Sequence, residues 1–218
     1  MEEKRRLGRE FFERDGITVA KELLGKTLVH ETRLGIIRGI ITEVESYMGE
    51  EDKGSHTYGG RRTERTEPMY HRGGTSYVYL IYGMYSCMNI AAMTEGIPQA
   101  VLIRSVVPAD GESERRMLEL RLEEYNRKRL KRGKEPYEAG EGGKLPASLR
   151  GQLADGPGKL CIAMGITRAD NDLDMVESGT FYVTEGWEID SARIQSGKRI
   201  GIDYAGEAAE YLWRFYLG

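Results

Sequence analysis

The sequence predicts an α+β fold: one domain spanning residues 1–218, with a curved, largely antiparallel sheet, flanking helices and a protruding β-hairpin. Three observations carry this. Residues 77–89 read Tyr-Val-Tyr-Leu-Ile-Tyr-Gly-Met-Tyr-Ser-Cys-Met-Asn, a charge-free run that suits two strands meeting in a hairpin near Tyr82, Gly83 and Met84. Residues 26–33 and 36–47 are strand-like runs joined by a turn at Leu34 and Gly35. No internal repeat or domain boundary interrupts the 218 residues, a length that one sizeable core accommodates.

Taken in order, Leu7, Phe11 and Phe12 have helical spacing, and Thr18 is placed to cap a short helix through Leu24 that Gly25 ends. Along 36–47, period-2 alternation puts Ile37, Ile41, Glu43, Glu45 and Tyr47 on one face. Residues 49–72 are polar, Gly-rich and too long for a plain connection, which marks them as functional or mobile. In the hairpin Tyr77, Tyr79 and Ile81 share one face, and Val78, Leu80 and Tyr82 the other. Residues 100–107 form a strand stopped by Pro108. Ser113 heads a long helix in which Leu118, Leu122 and Tyr125 recur at helical spacing, followed by a charged surface insertion near 125–152. Asp155 caps a helix through Met164 that Gly165 ends, 181–184 is a strand, and 206–216 is a closing helix or extended tail.

The formal net charge of −3 and pI near 5.8 do not suit a generic nucleic-acid binder. Distribution matters more than the sum. Residues 115–134 hold nine basic side chains against three acidic ones, which permits a basic face on an acidic protein. No run of about 18 apolar residues is present, and the start of the chain lacks the apolar core of a secretory signal. Cys87 and Cys161 have no metal-type spacing and suggest no disulfide framework. A reducing cytoplasm is the expected compartment.

Three features could carry chemistry. Glu43 and Glu45 end an apolar strand, about 7 Å apart on one face. A carboxylate in that setting is a candidate general base, because burial and neighbours set its pKa; a surface pair at a strand end has the same pattern. His56 lies in a polar loop, where a solvated imidazole is the plain alternative. Arg61, Arg62 and Arg65 suit phosphate contacts, although loop arginines commonly face water. The segment Gly140-Glu141-Gly142-Gly143-Lys144 lacks the spacing of a phosphate-binding loop. Gly156-Pro157-Gly158-Lys159 is a weak match to a phosphate-gripping helical hairpin, and the three histidines form no metal spacing.

Taken together, these residues resemble the alkyladenine (3-methyladenine) DNA glycosylase family. The matching blocks are Leu-Gly-Arg-Glu-Phe-Phe, Ile-Thr-Glu-Val-Glu-Ser-Tyr-Met-Gly-Glu-Glu-Asp with Ser-His after it, Gly-Gly-Arg-Arg-Thr, the hairpin, Val-Leu-Ile-Arg, Gly-Pro-Gly-Lys-Leu-Cys and a terminal Arg-Phe-Tyr, in family order along nearly the whole chain. The resemblance implies a monofunctional enzyme without metal or organic cofactor that removes alkylated and deaminated purines from double-stranded DNA. It implies Glu45 as the carboxylate that activates water and Arg104 as the residue steadying it. Tyr47, His56 and Tyr79 would wall the base pocket, with Asn89 as its discriminating floor. Tyr82, with Met84 beside it, would be the wedge, and Arg61 and Arg65 would meet the DNA backbone. A monomer is expected, in the cytoplasm and at the nucleoid if the source is bacterial. Taking a base out of the stack leaves a hole that an aromatic side chain fills, and cationic alkylated purines favour aromatic walls. A hydrolase of free nucleosides would share the pocket but need no wedge, and a non-catalytic binding module would use the tyrosines as a stacking platform.

Overall fold

The structure, a computed structural model, describes residues 4–81, 83–138, 146, 149 and 151–218. Its spine is the 13-residue strand β2 (Gly35–Tyr47), rich in β-branched residues and hydrogen-bonded on both edges. One edge takes β5 (Gln99–Pro108). The other takes β1 (Thr27–Thr32) along its first half and β8 (Arg214–Leu217) at Glu43, Val44 and Glu45. Beyond β5 follow β4 (Tyr85–Ala92) and β3 (Ser76–Ile81), beyond β1 lies β6 (Phe181–Thr184), and β7 (Ile194–Gly197) flanks β8. Every pairing is antiparallel, so the predicted α+β fold around an antiparallel sheet is what forms.

One face of the sheet makes the main core. Val78, Met88, Ile90, Val101 and Ile103 pack there with Val19 and Leu23 of α2 (Gly16–Leu23), Met117 of α3 (Gly111–Lys131) and Leu160 and Met164 of α4 (Pro157–Met164). Burying such side chains contributes about 1.5–3 kcal/mol each. A further short helix, α1 (Arg9–Phe12), adds the buried ring of Phe12. The hairpin turns at Gly83, whose φ of +66° a side chain would resist. Tyr82 lies outside the described residues, as do 139–145, 147, 148 and 150 of the expected insertion.

The alternation expected along β2 breaks. Ile41 pairs with Val106, Glu43 with Ser105 and Val44 with Ile103, so Thr42 and Arg104 both drop out of the register. This irregularity reverses the parity of the strand. Ile37 and Ile41 face the core together with Val44, whereas Glu43 and Glu45 turn to the opposite face, where both meet Arg104.

Element ends also differ. Asp15, not Thr18, caps α2, because its carboxylate accepts the Ile17 and Thr18 amides. Asp110 caps α3 by accepting the Ser113 amide at 2.7 Å, leaving Ser113 buried with its hydroxyl accepting from Arg38 N. The buried stripe of α3 runs through Ser113, Met117 and Arg121, while Leu118, Leu122 and Tyr125 are part-exposed. Residues 125–131, expected in the insertion, complete that helix. Gly156 rather than Asp155 precedes α4, whose end Gly165 takes the left-handed conformation. Of the two forms expected for 206–216, a closing helix or an extended tail, the chain combines a 3-10 stretch, Asp203–Glu210, with an extended end, β8, that pairs with β2.

Candidate active site

The face of the sheet opposite the main core carries Glu43, Glu45 and Tyr47 of β2, Leu102 and Arg104 of β5, Cys87 and Asn89 of β4, and Tyr77, Tyr79 and Ile81 of β3. All but Glu43 and Glu45 line a cavity of about 440 Å³, a size suited to a small ligand. Residues 49–72, which include three 3-10 turns (Gly49–Glu51, Tyr58–Gly60 and Glu67–Tyr70), contribute Gly54, Ser55, His56, Arg65 and Met69 to its wall. The far wall is the backbone and side chains of Ile200, Gly201, Ile202 and Tyr204.

Behind this lining lies Glu45, with no solvent exposure. Its Oε1 accepts the Ile200 amide at 2.8 Å and lies 3.2 Å from Arg104 Nη1, and its Oε2 accepts the Tyr47 hydroxyl at 2.8 Å. Burial pushes its carboxyl above the ordinary carboxylate value, opposed by Arg104, the Ile200 amide and the Tyr47 hydroxyl. Glu43 is differently placed. It accepts from Arg104 Nε at 3.0 Å and Arg214 Nη1 at 2.9 Å and retains 16% side-chain exposure. Arg104 thus bridges both carboxylates and fixes the direction of the buried one.

The aromatic walls are ordered by mutual contact. The His56 ring stands edge-on to Tyr79, centroids 4.7 Å apart, and its Nδ1 hydrogen-bonds the Tyr77 hydroxyl at 2.9 Å. Tyr77 and Tyr79 lie 5.1 Å apart and tilted by 33°. Burial, helped by the nearby charges of Arg65 and Arg61, lowers the His56 pKa to about 4, so the ring is neutral at pH 7. Asn89 is buried and donates Nδ2 to the Tyr77 carbonyl at 3.1 Å, which holds its amide still.

The structure therefore brings Glu45, Arg104, Tyr47, His56, Tyr79 and Asn89 to one place. Arg65, although exposed, also lines the cavity, its guanidinium 5.0 Å above the Tyr79 ring, whereas Arg61 is exposed and does not line it. Arg62 forks onto Glu67 instead. Met84 sits apart at the hairpin turn and is 66% exposed.

Further contributors emerge from packing. Buried Arg199 binds Asp52 with both terminal nitrogens and donates to the Ser46 and Ala208 carbonyls. Its guanidinium also lies 4.8 Å from the Tyr47 ring centre. This one side chain ties the end of β2, the 49–72 segment and the C-terminal segment together. Neither Asp52 nor Arg199 stands out in a charged, ordinary-looking sequence context. Among the described residues no group of three His, Cys, Asp or Glu could hold a metal ion, and no helix is long and apolar enough to cross a membrane.

Comparison with known proteins identifies the family. The family model described as methylpurine-DNA glycosylase matches residues 10–218. A Clostridium acetobutylicum protein named "Putative 3-methyladenine DNA glycosylase" is 47% identical over 215 residues, spanning 97% of this chain and 94% of its own. Proteins of the same name from Desulfitobacterium hafniense and Clostridium novyi are 45% and 44% identical, each spanning 98% of this chain and 95% of its own. Matches of this extent place the chain among the DNA N-glycosylases of base-excision repair, hydrolases of the N-glycosyl bond. It belongs to the methylpurine-DNA glycosylase family.

Proposed function

We propose that this enzyme releases 3-methyladenine, 7-methylguanine, hypoxanthine and ethenoadenine from duplex DNA, acting as a monomer and leaving an abasic site. The observation that carries this is the fully buried Glu45, oriented by three donors and set behind an aromatic cavity. A flipped purine enters that cavity with its faces toward Tyr47 on one side and His56 and Tyr79 on the other. Water gives a proton to Glu45 and attacks C1′, and the electron pair of the breaking N-glycosyl bond leaves with the base. Arg104 positions Glu45 throughout. A cationic alkylated purine gains roughly 0.5–2 kcal/mol from an aromatic face, and neutral His56 adds no opposing charge. Asn89 sits at the floor, and Tyr82 with Met84 supplies the wedge. Arg61 and Arg65 reach the backbone at the cavity mouth.

The test is a panel of duplexes, each with one modified base (hypoxanthine, ethenoadenine, 7-methylguanine, 3-methyladenine or uracil), incubated with the enzyme and cleaved by alkali. The purine lesions should yield strand breaks and uracil should not. Glu45→Gln should lower single-turnover release by about 10²–10⁴ while still binding lesion duplex, with Glu43→Gln much milder. Near-wild-type release by Glu45→Gln removes the assignment of the base. Cleavage of free nucleosides but not duplexes removes DNA as the substrate.

A further inference from the structure

A second cleft, of about 740 Å³, lies between the later turns of α3, the start of α4 and Tyr85 of β4. It shares Pro157 with the cavity described above, so the two open side by side. Arg121, Lys128, Arg129, Arg132, Lys134 and Lys159 line it against two acidic side chains, Glu124 and Asp155. Several of these charges are occupied. Lys128 bonds the Tyr85 hydroxyl at 3.0 Å and pairs with Glu124, Arg129 donates to the Glu135 carbonyl, and Lys159 Nζ donates to the neutral Gln152 Oε1 at 2.9 Å.

Arg121 is different. It is only 9% exposed, and its buried Nε has no hydrogen-bond partner. Among the described residues it makes no hydrogen bond and no ion pair. The Glu124 carboxylate acts on this guanidinium electrostatically without bonding it, and among the described residues nothing accepts from its buried Nε, a cost that a bound anion would offset. Opposite stands the start of α4. Gly156 offers no side-chain cap and Pro157 has no N–H, which leaves the amides of Gly158 and Lys159 at the positive end of the helix. Gly158 approaches the Tyr85 ring so closely that an added Cβ would lie 3.2 Å from Tyr85 Cβ, so backbone rather than side chain is presented there. Planar guanidinium, ammonium and helix amides together match a tetrahedral phosphate.

We propose that this cleft is a phosphate site, in which Arg121, Lys159 and the first amides of α4 hold a backbone phosphate of the DNA strand flanking the cavity. The DNA source rests on the function proposed above, since the shared boundary at Pro157 sets the cleft beside the entering nucleotide. A free phosphate group has the same chemistry, and the two sources separate by experiment.

The first arm uses no DNA. Thermal unfolding of the whole protein is compared in inorganic phosphate and in sodium chloride of equal ionic strength. Wild type should gain stability with phosphate concentration, following ligand linkage. Arg121→Met should lose the phosphate response. Lys159→Met, a surface change that spares packing, should weaken that response. The second arm measures affinity for an undamaged duplex against salt. Each cleft variant should flatten the logarithmic slope by about one unit, whereas Arg115→Gln, on the exposed side of α3, should not. A phosphate response with unaltered slopes overturns the backbone source and leaves a free-anion site. A flattened slope with no response to free phosphate supports the backbone contact. Phosphate responses and slopes all equal to wild type overturn the site. Neither arm involves a modified base, so either result is independent of lesion specificity.

Discussion

Arg104 Nη1 lies 3.2 Å from Glu45 Oε1 while its Nε, 3.0 Å from Glu43, anchors the same guanidinium to a second carboxylate. The fork makes the direction of Glu45 depend on a residue that stands outside the β2–β5 register. Burial raises the Glu45 pKa and Arg104 opposes that rise. On the mechanism proposed above, release of base requires ionised Glu45, so the rate should climb with pH through an acid limb above the ordinary carboxylate value. Arg104→Gln removes the opposing charge, moves that limb further toward alkaline pH and slows the plateau by about a hundredfold through misplacement of the base. Single-turnover rates across pH check both; an unmoved limb assigns Arg104 to folding alone.

Asn89 is expected to act by exclusion. Its amide is tied to the Tyr77 carbonyl, so it cannot swing aside for the exocyclic amino group that guanine carries at C2 and that hypoxanthine and adenine lack. Asn89→Ala and Asn89→Ser should admit guanine, first in mismatched pairs where flipping is cheapest. Loss of hypoxanthine release without any gain on guanine points to a positive contact instead.

How far these placements were legible in sequence depends on the regularity of each strand. The hairpin faces follow strict alternation, and Tyr77, Tyr79 and Ile81 line the cavity together as their spacing requires, whereas Asn89 is reached only through the family resemblance. In β2 the same rule misassigns Ile37 and Ile41, because nothing in Ile-Ile-Thr-Glu announces a break in pairing. The end of an apolar run marks Glu43 and Glu45 alike, and only the family resemblance singles out Glu45. Asp52 and Arg199 are invisible for another reason: their pairing joins segments 147 residues apart, and only the folded chain makes that pair buried. The α3 stripe was misplaced because its core-facing positions include Ser113 and Arg121, which hydropathy counts as polar.

The Asp52–Arg199 pair has no solvent exposure on either side chain. Removing one partner strands the other in a site without water. Asp52→Ala should therefore lower stability by about 3–5 kcal/mol, and the double variant Asp52→Ala with Arg199→Met should recover part of that loss. Urea unfolding of wild type, Asp52→Ala, Arg199→Met and the double variant gives the coupling energy; simple additivity would show that the pair is not coupled.

Histidine 56 should leave a mark on the pH dependence of stability. An unfolded chain protonates this imidazole near pH 6.5, the folded one only near pH 4, so between these values the unfolded state holds more protons. Stability must then fall as pH drops through that window. His30 works the opposite way: its pKa is raised, with Asp170 and the Met164 carbonyl favouring the cation against burial, so its contribution is present below pH 6.5 and fades as pH rises through the folded value. His56→Gln should flatten the fall between pH 6.5 and 4 and leave the alkaline side unaltered. Urea midpoints measured from pH 4 to 8 decide it, and an identical profile in the variant removes His56 as the source.

The hairpin tip yields the last expectation. Leu80 and Met84 are 41% and 66% exposed, and a Cβ added at Gly83 would meet nothing within 4 Å. Exposed apolar side chains on a projecting turn mark a surface meant to be covered. Tyr82 follows β3 in sequence, and the function proposed above makes it the wedge that fills the gap an extruded nucleotide leaves. Flipping costs a few kcal/mol, and stacking of the ring returns roughly 1–3 kcal/mol of it. Tyr82→Ala should accordingly slow excision most where the lesion sits in a stable pair and least where it lies in a single strand, which has little stacking to replace. Met84→Ala should follow the same order with a smaller amplitude. Folding is measured on the same samples, since truncation of a packed tyrosine would instead cost about 3–5 kcal/mol. Unchanged unfolding with impaired duplex excision establishes the wedge; lost stability with full activity per folded molecule makes Tyr82 a packing residue.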